Sequence, residues 1–421
     1  MQVRSIFMYV FVLFLATPLA TQAQQVSKMQ KFYLATIDMQ GTQLPFQMSV
    51  TLIYYAPDNL IPYSFTLING DENISGMIMP SAHRDTFTCV MPVFNTAIIF
   101  TTTKEAQVFN GYFIDYSRTG NYTLPFSARM LPDDQEDTRF VCARETPPTV
   151  NVHGRYTAVF YDNGVPDSTV GIFEQTGKYL RGTFLTTTGD YRFLSGNVCG
   201  NRMYLSAFDG SHVFLFEGEV QADSTILGHF YSGSHFHATF TARRNPLAKL
   251  PDDTKLTYLK PGYDKIDFRF PDMQGNMVSL SDAQFVNKPV IITITGSWCP
   301  NCMDETSYLS EVEEKYADSD LEIIALSFER KTDTASFTAA VNKVREHFGT
   351  DFIYLNAGLP KTASDALPML NKVMGFPTMI LLDRNHRVVS IHTGFSGPAT
   401  GKLFLEFQKK FEMELEQAMR K

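Results

Sequence analysis

From about residue 28 to 245, short apolar and aromatic runs alternate with clusters of Gly, Asn and Asp. Met48-Ser49-Val50-Thr51-Leu52-Ile53, Ala97-Ile98-Ile99-Phe100 and Val213-Phe214-Leu215-Phe216 are the clearest of them. Runs rich in Tyr, Phe, Val, Ile and Thr and bounded by turn residues predict β-strands. The spacing of an amphipathic helix is almost absent here. Antiparallel strands of this kind close into a sandwich or a barrel, which also hides their edges. After Arg244 the pattern changes. Asn245-Pro246, Pro251-Asp252-Asp253 and Pro261-Gly262 punctuate a polar linker over residues 246–260. Beyond it, Val290 to Thr295 and Glu322 to Phe328 read as buried strands, and Ala335 to Phe348 and Leu403 to Met419 as helices. In the last helix Phe404, Phe407, Phe411 and Leu415 form one apolar stripe. That alternation implies an α/β sheet, partly parallel.

The β-rich region also repeats itself. Tyr33 to Gly41 resembles Tyr156 to Gly164, and Gly70-Asp71 followed by Ser75-Gly76 recurs as Gly189-Asp190 followed by Ser195-Gly196. Gly111-Tyr112-Phe113 recurs as Gly228-His229-Phe230, and Pro125 to Arg129 as Thr239 to Arg243. Four matches in the same order predict two related β-units, residues 28–145 and 150–245. Chance likeness between Tyr- and Gly-rich hairpins is the competing explanation.

Length and charge narrow the picture. A chain of 421 residues suggests about three domains. A hydrophobic content of 44% suffices for folded cores, and a formal charge of −8 without a basic cluster argues against a nucleic-acid surface. The start of the chain reads as an export signal, residues 1–23. Arg4 precedes an apolar run from Ile6 to Leu19, and Thr21-Gln22-Ala23 places small residues at a cleavage site. The run is short for an uncleaved membrane anchor, and Gln22, Gln24 and Gln25 follow it. With no cysteine in that segment, a lipid-modified N-terminal Cys is excluded. No later stretch is apolar enough to span a bilayer, so the expectation is a cleaved, soluble protein in a disulfide-permissive periplasm.

One motif carries chemistry: Trp298-Cys299-Pro300-Asn301-Cys302, directly after the strand ending at Thr295. At a helix start the first thiol meets unpaired backbone N–H groups and the positive end of the helix dipole, which favour its thiolate. One helical turn brings the second sulfur within bonding reach, and Cys302 shares a face with Leu309, Val312 and Tyr316. Pro300 suits the first turn, where its missing N–H has no internal partner. A structural zinc site would need a second such pair or histidines at ligand spacing, and neither is present. Three cysteines remain: Cys89, Cys142 and Cys199 permit at most one bridge, in any of three pairings. His229 and His237 flank a hairpin turn at Ser232-Gly233-Ser234, which would bring them face to face; a metal there is the weaker reading, surface-strand histidines the stronger. No metal or other cofactor is expected.

At these residues the chain resembles the extracytoplasmic, TlpA-like branch of the thioredoxin superfamily. The resemblance covers residues 261–421, two-fifths of the chain. Gly375-Phe376-Pro377-Thr378 is similar to the family's cis-proline segment, which implies that Pro377 packs on the cysteines and that Trp298 and the Phe376 backbone receive substrate. Asp351 to Val373 resembles the strand-plus-helix insertion of this branch. Two features depart from thioredoxin. The dipeptide between the cysteines is Pro-Asn, and the buried aspartate six residues before the first cysteine is replaced by Thr293. Glu329 and Glu305 are the candidates for the vacant proton-shuttle role, and a surface position is the commoner fate of each. The resemblance implies a multidomain thiol–disulfide oxidoreductase. It would reduce exported protein disulfides and draw electrons from a membrane donor of the DsbD or CcdA type. An oxidase or isomerase using the same cysteines is one alternative. A binding protein in which the β-units dominate and the thioredoxin domain is vestigial is another.

Overall fold

The computed structural model describes residues 27–420 except 40, 57–58, 83–84, 119, 121 and 133–137. The export signal read at residues 1–23 therefore lies outside the described residues.

Among the described residues, eight antiparallel strands, from Lys28–Met39 to Tyr122–Met130, follow one another around a closed barrel. First and last strands pair, with Ala35 opposite Ala128. A barrel of this size is filled by its own side chains, and here the filling is aromatic: Tyr33 stacks on Phe109 at 4.5 Å, and Phe109 on Phe100 at 4.5 Å. Eight strands from Gly154–Asp162 to Phe236–Arg244 close a second barrel, with Phe240 opposite Phe160 across the closing ladder. Phe160, Phe184, Phe216, Phe230 and Phe240 pack against one another inside it. The open choice between sandwich and barrel is thus settled as two barrels. The repeated segments occupy equivalent strands: Tyr33 and Tyr156 lie on the first strand of each barrel, Gly111 and Gly228 on the seventh, Ala128 and Ala242 on the eighth. Gly228 is dictated by packing, because a Cβ there would stand 2.5 Å from the Phe240 ring.

The barrels are joined. Phe208 of the second sits in the core of the first, edge-on to Phe113 at 5.2 Å and 4.8 Å from Phe46. Asn69 ties the two backbones, donating to the Phe208 carbonyl at 2.9 Å and accepting from the Phe208 N–H at 3.3 Å. Of the three leftover cysteines, Cys142 and Cys199 form a disulfide at the base of the second barrel, and Cys89 is free and buried in the first.

The C-terminal region is a five-stranded sheet in the order Ile353–Gly358, Glu322–Phe328, Val290–Thr295, Thr378–Leu382, Val388–Thr393. The first three strands are parallel, Thr378–Leu382 runs antiparallel to them, and Val388–Thr393 pairs antiparallel with Thr378–Leu382 at the edge. Helices Pro300–Lys315, Thr334–Phe348 and Lys402–Arg420 cover the sheet. No helix among the described residues is long and apolar enough to cross a membrane.

The polar segment at 246–260 is not a free spacer. Thr257 is fully buried and accepts a hydrogen bond from Thr393 at 2.9 Å, and Asp253 pairs with His392 at 2.8 Å. Glu414 holds the other ring nitrogen of His392 at 2.8 Å. Burial opposes charging of this histidine, but the two carboxylates outweigh it and raise its pKa to about 9. A raised histidine pKa adds stability that is complete below about pH 6.5 and is lost as pH climbs through about 9. His392→Gln is expected to cost about 1–2 kcal/mol at pH 6, discounted because Asp253 is partly exposed. Urea titrations at pH 6 and pH 10 check this. An equal loss at both pH values would show that the ion pairs contribute nothing.

Candidate active site

Cys299 is the N-cap of the helix Pro300–Lys315, and its sulfur accepts the Cys302 backbone N–H at 3.3 Å. The two cysteines are joined as a disulfide with Cα atoms 5.2 Å apart. Cys302 is fully buried, whereas Cys299 retains 6% exposure. The Phe376–Pro377 peptide is cis, and the Phe376 carbonyl oxygen lies 3.6 Å from the Cys299 sulfur. Trp298 donates its indole N–H to the Phe328 carbonyl at 2.9 Å and meets Phe376 edge-on at 5.4 Å. Strand, loop and helix thus hold Trp298, Cys299, Cys302, Phe376 and Pro377 together.

Both candidate shuttles are buried, contrary to the commoner expectation of a surface carboxylate. Glu329 accepts from the Ser297 N–H at 2.9 Å and from the Ser297 and Ser327 hydroxyls at 2.7 Å. Those bonds pin the loop ahead of Trp298. Glu305 is 1% exposed and lies one turn beyond Cys302 on the same helix face. Thr293, which stands where thioredoxins have an aspartate, donates to Glu305 Oε2 at 2.5 Å. The other oxygen, Oε1, is buried with no partner. Burial raises the Glu305 pKa to about 7, against the pull of the Thr293 hydrogen bond and the His392 charge.

The site's other wall belongs to the barrels. Arg192 of the second barrel is buried and donates to the Pro300 carbonyl at 2.8 Å. The same guanidinium meets Asp304 of the catalytic helix at 2.8 Å, Asp209 at 3.4 Å, and Glu72 of the first barrel. Asn301, between the cysteines, donates to the Asp190 carbonyl at 3.0 Å. Burial, reinforced by neighbouring Asp190, Glu72 and Asp209, lifts Asp304 to about 8 despite Arg192. Burial also opposes charging of Asp209, but His212 and Arg192 prevail and hold it at about 2. Only the repeated Gly189-Asp190 pair had marked this neighbourhood in advance. His229 and His237 do meet, ring nitrogens 3.0 Å apart. No group of three metal-ligating side chains occurs among the described residues.

Comparison with known proteins addresses this domain. The Redoxin family model matches residues 250–402. Thiol-disulfide oxidoreductase ResA of Geobacillus thermodenitrificans is 30% identical over 144 residues, covering 34% of this chain and 74% of the relative. The chain belongs to the TlpA-like thiol–disulfide oxidoreductase family. It is therefore an enzyme of thiol–disulfide exchange. A ResA from Bacillus thuringiensis is 28% identical over 159 residues, covering 37% of this oxidoreductase and 82% of the relative. Among solved structures, a thiol-disulfide oxidoreductase from Bacteroides fragilis is 18% identical with a TM-score of 0.27, covering 34% of this chain and 99% of that one.

Proposed function

We propose that this oxidoreductase works outside the cytoplasm as a disulfide reductase. Cys299 is the attacking thiolate and Cys302 the resolving thiol. Trp298, Phe376 and Pro377 form the substrate-facing wall, and Glu305 accepts the Cys302 proton. The observation that carries the direction is the acidity around the catalytic helix. Asp304 and Glu305 lie two and three residues beyond Cys302, Glu305 buried and Asp304 nearly enclosed, and one guanidinium is shared among Asp304, Asp209 and Glu72. Desolvated surroundings crowded with acidic groups that already resist ionising also disfavour a thiolate, and a dithiol whose reduced form is poorly stabilised gives its electrons away. The Cys142–Cys199 disulfide supports an oxidising compartment, since such bonds rarely persist in the cytoplasm. In that setting the dithiol must be regenerated by a two-electron donor, for which a membrane protein of the DsbD or CcdA type is suited.

The decisive measurement is the reduction potential of the Cys299–Cys302 pair in glutathione and dithiothreitol buffers. A value near or below about −250 mV is expected, and one near about −120 mV would make the protein an oxidant instead. Cys302→Ser is expected to leave Cys299 joined to its substrate as a trapped mixed disulfide. Mass spectrometry of the oxidised variant should locate the adduct on Cys299. An adduct elsewhere, or none, would assign the attack to another residue.

A further inference from the structure

Cys299 faces the barrels rather than open solvent. Thr188 presses its methyl group onto Gly375, where even a Cβ would come within 2.5 Å of it, and the Thr188–Gly189 backbone lies over Gly394. Asp190 fastens this hairpin by accepting from the Gly397 N–H at 2.7 Å and the Asn301 amide at 3.0 Å. A wide protein surface therefore meets the second barrel before it meets the sulfur. What stays open beside Cys299 is a cavity of about 170 Å³. Its polar walls are Arg118 and Tyr122 of the first barrel, His212 and His235 of the second, and Arg330 beyond the strand Glu322–Phe328. Two guanidinium groups line it and no carboxylate does. Asp115 lies behind both arginines, 3.0 Å from Arg118 and 3.5 Å from Arg330, and Glu329 acts on Arg330 from the neighbouring cavity, so the two guanidinium groups face this cavity while their carboxylates stand behind them. Trp298 and Arg330 separate it from a neighbouring cavity of about 200 Å³, whose walls include Val93, Phe94, Ala339 and Ala340.

We infer that the substrate reaching Cys299 is a low-molecular-mass disulfide carrying a carboxylate near its sulfur. The inference rests on the thiol-exchange roles proposed above and narrows their substrate class. The carboxylate sits against Arg330 and Arg118 while the disulfide meets Cys299. The Cys299 thiolate attacks one sulfur, forming a mixed disulfide and releasing the first half as a thiolate. The Cys302 thiolate then attacks the Cys299 sulfur and expels the second half. Two electrons pass from the dithiol to the substrate, and the two thiol protons end on the released thiols.

The chain has a single tryptophan, beside Cys299, so its fluorescence reports oxidation of the pair. The test mixes the reduced full-length protein with four oxidants at pH 7: oxidised glutathione, cystamine, 2-hydroxyethyl disulfide and folded insulin. A short peptide pair carrying one of the insulin disulfides serves as control. Oxidised glutathione is expected to react at least about tenfold faster than cystamine, and the peptide pair faster than folded insulin. Arg330→Gln should shrink the ratio of anionic to cationic rates. Arg118→Gln gives an independent reading should Arg330→Gln disturb docking. Equal rates for glutathione and cystamine, or for folded insulin and its peptide, would overturn the inference while leaving thiol exchange intact. If none of the oxidants alters the fluorescence or consumes thiols, the exchange reading itself fails, and the inference falls with it.

Discussion

Replacing Arg192 by methionine is expected to destabilise the protein by about 3–5 kcal/mol, because it strands buried carboxylates without their cation. The side chain is almost wholly enclosed, and its partners come from three bodies: Glu72 from the first barrel, Asp209 from the second and Asp304 from the catalytic helix. Methionine fills similar volume, so the loss reads out charge rather than a cavity. Asp304 makes the same junction pH-sensitive. Its folded pKa of about 8 exceeds the ordinary aspartate value of 3.8, so the folded state holds the extra proton. Stability contributed here is full below about pH 4 and declines as pH rises toward about 8. Asp304→Asn should therefore change little near pH 4 and flatten the decline above it. Combined with Arg192→Met, it should recover part of the loss only above about pH 8, where Asp304 would otherwise be charged without its cation. Urea unfolding followed by circular dichroism from pH 4 to pH 9 tests both. A single Arg192→Met variant within about 0.5 kcal/mol of the parent would show that this junction holds nothing together.

What could be read in advance follows from the range of the interactions. The cysteine pair, its helix and the Pro377 segment are set by short motifs at fixed places relative to strands, and spacing alone exposes them. The barrel repeat was legible for a related reason. Gly111 and Gly228 recur because each lets a neighbouring strand or ring approach too closely for a side chain. The Arg192 cluster joins residues far apart in sequence, each unremarkable in its own segment, so no local pattern marks it. The ties of the 246–260 segment are hidden for the same reason: Asp253 and Thr257 meet His392 and Thr393, more than a hundred positions later. Glu329 looked like a surface carboxylate because its partners Ser297 and Ser327 belong to two different strand ends, brought together only by parallel pairing of those strands.

Glu305→Gln is expected to slow resolution of the mixed disulfide by about a hundredfold while making the fold more stable at alkaline pH. The two effects have one origin. A carboxylate at this site is costly, because burial lifts its pKa from 4.5 to about 7 and only the Thr293 hydroxyl binds it directly. The folded state consequently holds a proton that the unfolded chain gives up, so stability falls as pH rises from about 4.5 to about 7. Glutamine removes that penalty, and the gain at pH 8 should reach about 2–3 kcal/mol. The proposed proton-acceptor role rests on the unpartnered Oε1, a buried acceptor one helical turn from Cys302. Below pH 7 the carboxyl is protonated and cannot take the Cys302 proton, so the resolution rate should climb through about pH 7 in the parent and lose that limb in the variant. Aspartate at the same position keeps the charge but shortens the reach, and should restore the pH limb without the full rate. Rapid-quench measurement of mixed-disulfide decay from pH 5 to pH 9 separates the possibilities. A variant that becomes more stable yet resolves as fast as the parent, with its pH limb unchanged, would show Glu305 to be a buried structural carboxyl and move the proton acceptor elsewhere.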